Sequence, residues 1–247
     1  MLTQSNITDE LAEVEASSSE TDAEATVRWA VDRYRDRLAL ALSLGIEDTL
    51  LLHLVADAAR SLPAEQRPRA FVLDTGRLPE ESYQLLESAR DRYAIRIETY
   101  FPDAAAVEAI YRDAGPLSFY ASVEARKHCC HVRKVEPLAR ALSGAEAWMT
   151  GLRRAQSPTR GSTERLDLDE RGLVKVSPLA HLSDEETWAL AKQHDVLVHA
   201  LHRRGYPSIG CAPCTRAVQP GEPTRAGRWW WEDPTLKECG LHTGGQK

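Results

Sequence analysis

Leu38-Ala-Leu-Ala-Leu-Ser-Leu-Gly45, continued by Ile46-Glu-Asp48, decides the fold. An apolar run this short, closed by a glycine, reads as a buried strand that runs into a tight turn. Thr49–Arg60 then resumes a helical pattern through Leu50, Leu51, Leu54 and Val55. Upstream, Val27, Val31, Tyr34 and Leu38 have helical spacing over 25–37. Downstream, Phe71-Val-Leu-Asp is a second strand ended by Thr75-Gly76, and a helix follows over Pro79–Tyr93. Ile95–Tyr100 and Ala147–Gly151 read as a third and a fourth strand. Short strands alternating with longer helices predict an α/β fold, a parallel twisted sheet flanked by helices on both faces.

In such a sheet, ligands sit beyond the carboxyl ends of the strands. Three strand ends carry glycine or polar signatures: Ser43-Leu-Gly45, Asp74-Thr-Gly76 and Thr150-Gly-Leu-Arg-Arg154. At the first of them, backbone N–H groups ahead of a helix can cradle an anion. The loop is not a Walker-type phosphate loop, which disfavours an NTPase. Ser183 followed by Glu186 predicts a capped helix over Asp184–Asp195.

The 247 residues carry 31 Lys and Arg against 37 Asp and Glu, a formal charge of −6. That balance excludes binding of nucleic acid over the whole surface. No apolar run approaches the roughly 20 residues of a membrane-spanning helix. Residues 1–24 are acidic and Ser-rich, without Lys or Arg, which predicts a disordered tail, the reverse of a targeting signal, and a cytoplasmic protein. The α/β domain is expected over 25–216. The Pro- and Gly-rich stretch 217–247 is expected to form a mobile C-terminal tail that docks back on the body.

Five cysteines stand in telling places: Cys129 beside Cys130, Cys211 and Cys214 as a CxxC, and Cys239 in the tail. Paired spacing in a reducing compartment points to metal binding or catalysis. Adjacent cysteines suit one tetrahedral zinc poorly, because neighbouring side chains diverge. A 4Fe-4S cluster tolerates the splay, since each thiolate can take a different iron. Zinc, a disulfide and plain buried thiols remain as readings. Arg126, Lys127, Arg133, Lys134, Arg140, Arg153, Arg154 and Arg160 crowd one stretch, and Arg203, Arg204, Arg216, Arg225 and Arg228 flank the CxxC. In an acidic chain this suggests a pocket for a small polyanion, against the plainer reading of a solvated helix face. Cys239 lies between Lys237 and His242, which favour its thiolate. Trp229-Trp-Trp231 reads as an anchor for the tail.

Together these stretches resemble the assimilatory adenosine 5′-phosphosulfate (APS) reductases, relatives of the phosphoadenosine phosphosulfate (PAPS) reductases. The likeness runs over 38–242 and rests on six motifs: Ser43-Leu-Gly-Ile-Glu-Asp, Leu73-Asp-Thr-Gly, Cys129-Cys-His-Val-Arg-Lys-Val-Glu-Pro-Leu, Thr150-Gly-Leu-Arg-Arg-Ala-Gln-Ser, Gly210-Cys-Ala-Pro-Cys and Glu238-Cys-Gly-Leu-His. It implies an adenine-nucleotide α-hydrolase-like fold. It also implies a 4Fe-4S cluster on Cys129, Cys130, Cys211 and Cys214, with Cys239 as nucleophile. Ser43, Gly45, Leu73, Thr75, Lys134, Gly151, Arg160, Arg225, Arg228 and His242 are the substrate residues it implies. The expected reaction is thioredoxin- or glutaredoxin-dependent reduction of APS to sulfite and AMP through an S-sulfocysteine, in sulfate assimilation and cysteine biosynthesis. A homo-oligomer is compatible with it; nucleic acid and membrane are not expected as partners. A PAPS or dual-specificity reductase is the alternative, and a non-catalytic iron–sulfur sensor a distant one. Leu44 and Thr49 depart from the Ser-Gly-Gly-x-Asp-Ser loop of ATP pyrophosphatases, against adenylating tRNA thiolation.

Overall fold

The computed structural model describes residues 22–233, together with Asp9 and Lys237. Helix α1 (Asp22–Tyr34) leads into β1 (Leu38–Leu42), α2 (Ile46–Ala58), β2 (Arg69–Leu73), α3 (Glu80–Arg92) and β3 (Arg96–Tyr100). Then come α4 (Ala104–Ala114), α5 (Val123–Cys130), a π turn over His131–Val135, α6 (Glu136–Ala141) and β4 (Ala147–Met149). Strands β5 (Leu166–Leu168) and β6 (Val174–Val176) and helix α7 (Asp184–Gln193) complete the regular elements.

One six-stranded sheet has the order β3-β2-β1-β4-β6-β5. The pairs from β3 to β6 are parallel, while β5 runs antiparallel to β6. The expected parallel sheet is present and carries one antiparallel strand at its rim. Here a hairpin turn over Asp169–Gly172 reverses the chain: Asp169 Oδ1 accepts from the Arg171 and Leu173 N–H groups, and Gly172 adopts φ +77°. A hairpin needs no crossover helix, so the last pairing is antiparallel.

Alternation along β1 explains the two layers. Leu38, Leu40 and Leu42 point into a core with Val31 of α1, Leu50 and Leu54 of α2, Leu85 of α3 and Leu190 of α7. Ala39 points to the other face, where Phe71, Trp148 and Leu138 of α6 close a smaller core. Strands buried on both faces need continuous apolar runs, as Leu38–Leu42 supplies.

Strand order reverses between β1 and β4, so the sheet opens a crevice at their carboxyl ends, where α/β sheets bind ligands. Helix α2 begins at Ile46, earlier than the expected Thr49, because the intervening turn is only Ser43–Gly45. Leu44 adopts the left-handed conformation (φ +66°), whereas Gly45 is extended and caps α2, its carbonyl accepting from the Asp48 and Thr49 N–H groups. A non-glycine in that region costs on the order of 1–2 kcal/mol, which the burial of Leu44 in the core offsets. The capping box on α7 is present, with Ser183 and Glu186 bonding reciprocally, and the helix ends at Gln193, ahead of Asp195 with its φ of +47°. Among the described residues, no helix is long and apolar enough to cross a membrane.

Candidate active site

At the β1–β4 crevice lies a cavity of about 170 Å³. Ser43, Gly45, Leu73, Thr75, Lys134, Gly151, Arg160, Arg225 and Arg228 all line it. Cys239 and His242 fall outside the described residues. The strand ends deliver the first group, and Lys134 comes from the π turn. Arg225 and Arg228 come from the segment after the CxxC.

Two lining residues, Glu47 and Asp48, had no assigned role in the sequence reading. Asp48 Oδ2 accepts the Ser43 N–H and hydroxyl, so both Ser43 donors are committed to a neighbouring carboxyl group. Burial pushes the Asp48 carboxyl up to about 6, against the opposing hydrogen bonds from Ser43. Gly151 packs against this pair: a Cβ there would stand 2.6 Å from Asp48 Oδ1 and from Glu47 Cβ. Glu47 in turn takes Arg153, whose Nε and Nη2 lie 3.1 and 2.8 Å from Oε1, and Arg153 also reaches Asp184. Acidic residues in the first turn of a helix were the one available signal.

Much of the basic set is engaged by carboxylates. Arg140 pairs with Glu136, Arg154 with Glu164, Arg204 with Glu81 and Arg216 with Glu222. Lys134, Arg160, Arg225 and Arg228 are the members of it that line the cavity, which narrows the expected polyanion pocket to these four.

Behind the cavity is a second, smaller chamber lined by Cys129, Cys130, Cys211 and Cys214 together with Arg77, Phe119, Arg126, Arg133, Lys134, Arg228 and Trp229. All four thiols are buried in one cluster with Phe119 and Trp229. Among the described residues, no group of three or more His, Cys, Asp or Glu is arranged to hold a metal ion. Adjacent Cys129 and Cys130 both reach the chamber from the end of α5, where the helix widens into the π turn. Such widened turns are concentrated at functional sites.

The two spaces share walls. Lys134, Arg228 and Trp229 line both, and the Thr75 hydroxyl lies 3.2 Å from Cys211 Sγ. Burial opposes ionisation of Cys211, but Lys134, the Thr75 hydroxyl, Arg228 and Arg133 outweigh it and hold the thiol below its ordinary value. Burial and the neighbouring Cys211 push Cys214 up to about 12. Arg228 donates to the Ile209 carbonyl at 3.1 Å and lies flat against Gly210, where a Cβ would collide with its guanidinium. Its charge sits 4.7 Å from the Trp229 ring centroid. Trp229 is 1% exposed and anchors its segment, whereas Trp230 is 41% exposed. Arg225 donates to the Lys237 carbonyl at 3.0 Å.

The family described as "Phosphoadenosine phosphosulfate reductase domain" matches residues 37–217. A protein of Burkholderia cepacia named adenosine 5′-phosphosulfate reductase is 49% identical over 84% of this chain and 81% of its own length. One of Allochromatium vinosum with the same name is 49% identical over 86% and 81%. Among solved structures, the phosphate complex of phosphoadenylyl-sulfate reductase from Candida auris superposes with a TM-score of 0.68 at 22% identity, covering 88% of this chain and 98% of that one. An FMN adenylyltransferase of Candida glabrata follows at a TM-score of 0.54 and 14% identity, over 89% and 78%. These two structures establish the shared fold.

Proposed function

The chain belongs to the phosphoadenosine phosphosulfate reductase family, and from that membership we propose that it reduces adenosine 5′-phosphosulfate to sulfite and AMP in sulfate assimilation. Arg225 carries the reading for this chain's own residues. It lines the cavity and holds the Lys237 carbonyl, and two further residues span at most about 7 Å between Cα atoms. Cys239, two residues further along the sequence, is in this reading the nucleophile that enters the cavity walled by four cations.

In this proposal the adenosine lies against the Ser43–Gly45 turn, Leu73, Thr75 and Gly151. Lys134, Arg160, Arg225 and Arg228, with His242 from the tail, hold the phosphate and sulfate. The Cys239 thiolate attacks the sulfate sulfur. An S–S bond forms, the bond from sulfur to the bridging oxygen breaks, and AMP leaves with the electron pair. The cationic wall strengthens as charge gathers on the departing phosphate. A thiolate of reduced thioredoxin, or glutaredoxin, then attacks Cys239 Sγ and expels sulfite, and its second thiol resolves the mixed disulfide. The tail 217–247 carries the nucleophile, and the reaction takes place in the cytoplasm.

Cys129, Cys130, Cys211 and Cys214 would hold a 4Fe-4S cluster. The donor set fits such a group: four buried thiols share one chamber, and Arg126, Arg133, Lys134 and Arg228 place positive charge around it. When bound, the cluster supplies charge and cohesion beside the substrate site, without changing oxidation state in turnover. Lys134, which lines both the chamber and the cavity, would hold the sulfate within that field.

Anaerobically purified protein incubated with APS alone should accumulate a Cys239 S-sulfonate detectable by peptide mass spectrometry, and should release sulfite only when reduced thioredoxin is added. Cys239→Ser should bind APS, keep its iron and give no sulfite. Sulfite release at the wild-type rate by that variant would sink the assignment of the nucleophile.

A further inference from the structure

Glu232 is a carboxylate on a loop segment, and it should seek water. Instead its side chain is 3% exposed. Both of its oxygens are taken by one guanidinium: Arg126 Nε donates to Oε1 at 2.9 Å and Nη2 to Oε2 at 2.7 Å. Arg126 is itself 1% exposed, and its charge sits 4.6 Å from the Trp229 ring centroid. A buried ion pair offsets its desolvation only with such bidentate geometry.

Arg126 has a second engagement. It stands four residues before Cys130 on α5, so the two share a helix face, and both line the cysteine chamber. One side chain thus touches a wall of the cysteine chamber and the root of the segment that leads on to Cys239. The same segment is stitched down nearby, Trp229 N–H donating to the Cys214 carbonyl at 3.1 Å and Glu232 N–H to the Trp229 carbonyl at 2.9 Å.

We propose that Arg126 is a positioning residue that couples the state of the cysteine chamber to docking of the C-terminal segment, through Cys130 on one side and Glu232 on the other. A loaded chamber fixes Cys130, a fixed Cys130 orients Arg126, and an oriented Arg126 receives Glu232. Groups that bond to a ligand side chain orient it, and the relation is reciprocal. Emptying the chamber loosens Arg126 and leaves Glu232 a buried charge with a poorly held partner, so the stretch from Trp229 to Glu232 lets go. The inference rests on the chamber being loaded as proposed above.

The test is a cycle in the full-length protein, read by hydrogen exchange at the Trp229 and Glu232 amides. Wild type and Glu232→Gln are each measured loaded and after anaerobic removal of iron by chelation. In the wild type, stripping should speed exchange at these amides about tenfold or more. Loaded Glu232→Gln should keep its iron and sulfide yet exchange already as fast as the stripped wild type, with little added on stripping. Glu232→Asp, which keeps the charge but shortens the reach, should fall between. A merely structural pair gives additive effects. If stripping accelerates exchange as much in Glu232→Gln as in the wild type, the coupling does not run through Arg126 and the proposal fails. Iron and sulfide content tests the cluster separately. If the purified protein has neither, the cluster reading falls and this coupling falls with it, whereas loaded protein with additive effects overturns the coupling alone.

Discussion

Asp48 Oδ2 accepts both the backbone N–H and the hydroxyl of Ser43, at 2.5 and 2.6 Å, so a carboxyl group 6% exposed latches the turn at the β1–β4 crevice. Its burial raises the pKa from the ordinary 3.8 to about 6. Between those values the native state binds more protons than the unfolded chain, so stability falls as pH rises from about 4 through 6 and levels off above. Asp48→Asn removes that slope. Melting temperatures of the two proteins from pH 4 to 8 should converge or cross through this window. Parallel curves would mean that Asp48 titrates near its ordinary value.

His199 titrates with the opposite sign. Burial, then the nearby His202, lowers its pKa to about 4, and its Nδ1 accepts the Leu201 N–H while Nε2 faces the Ser82 hydroxyl at 3.0 Å. An accepting Nδ1 puts the proton on Nε2, which donates to Ser82. The native state binds fewer protons here, so the stability this neutral ring contributes is lost as pH falls from about 6.5 toward 4. The imidazole proton resonances of His199 should stay at neutral-ring positions down to about pH 4. A midpoint near 6.5 would contradict the burial argument.

Gly151→Ala should lower both turnover and stability. The added methyl group meets Asp48 and Glu47 at 2.6 Å, and overpacking of this kind costs about 1–3 kcal/mol. Displacing Asp48 also unlatches Ser43. A drop in kcat/KM of about tenfold or more with the fold intact by circular dichroism is the expected result.

Lys134 lines both the cavity and the cysteine chamber. Lys134→Met should lower kcat for sulfite formation by about 10²–10³ while the protein keeps its iron. Loss of iron with unchanged kcat per loaded chain would give Lys134 a purely structural part.

APS should be turned over far better than PAPS when both are supplied side by side with reduced thioredoxin. Arg153, Arg154 and Arg216 are paired with Glu47, Glu164 and Glu222, which narrows the basic residues offered to a 3′-phosphate. Equal rates would mean that the four cavity cations serve the 3′-phosphate as well.

The sheet was legible where the chain writes its structure locally. Leu38–Leu42 announces itself because a strand buried on both faces must be apolar throughout, and the motif residues at strand ends meet at one cavity because the crossovers carry those ends to one edge. Leu166–Leu168 and Val174–Val176 escaped, since each is three residues with a charged residue at its centre, whereas the equally short Ala147–Met149 is apolar throughout and ends in Thr150-Gly151. The pairs Arg153–Glu47 and Arg126–Glu232 escaped for a different reason. Each joins residues 106 positions apart, and nothing in the local pattern of an arginine says which distant carboxylate it will meet. The polyanion reading credited these arginines to the ligand for that reason.

The widened turn His131–Val135 also has a bearing on how the chain tolerates insertions and deletions. The turn closes by i→i+5 bonds where an α-helix uses i→i+4, so the run from Cys129 to Glu136 contains more chain than a regular helix needs. Excising a single residue there would let the segment wind regularly. Side chains within the turn, Lys134 among them, would then be re-aimed relative to the cysteines without any chemical substitution. At this place the length of the polypeptide is as much a part of the site as the identity of its side chains.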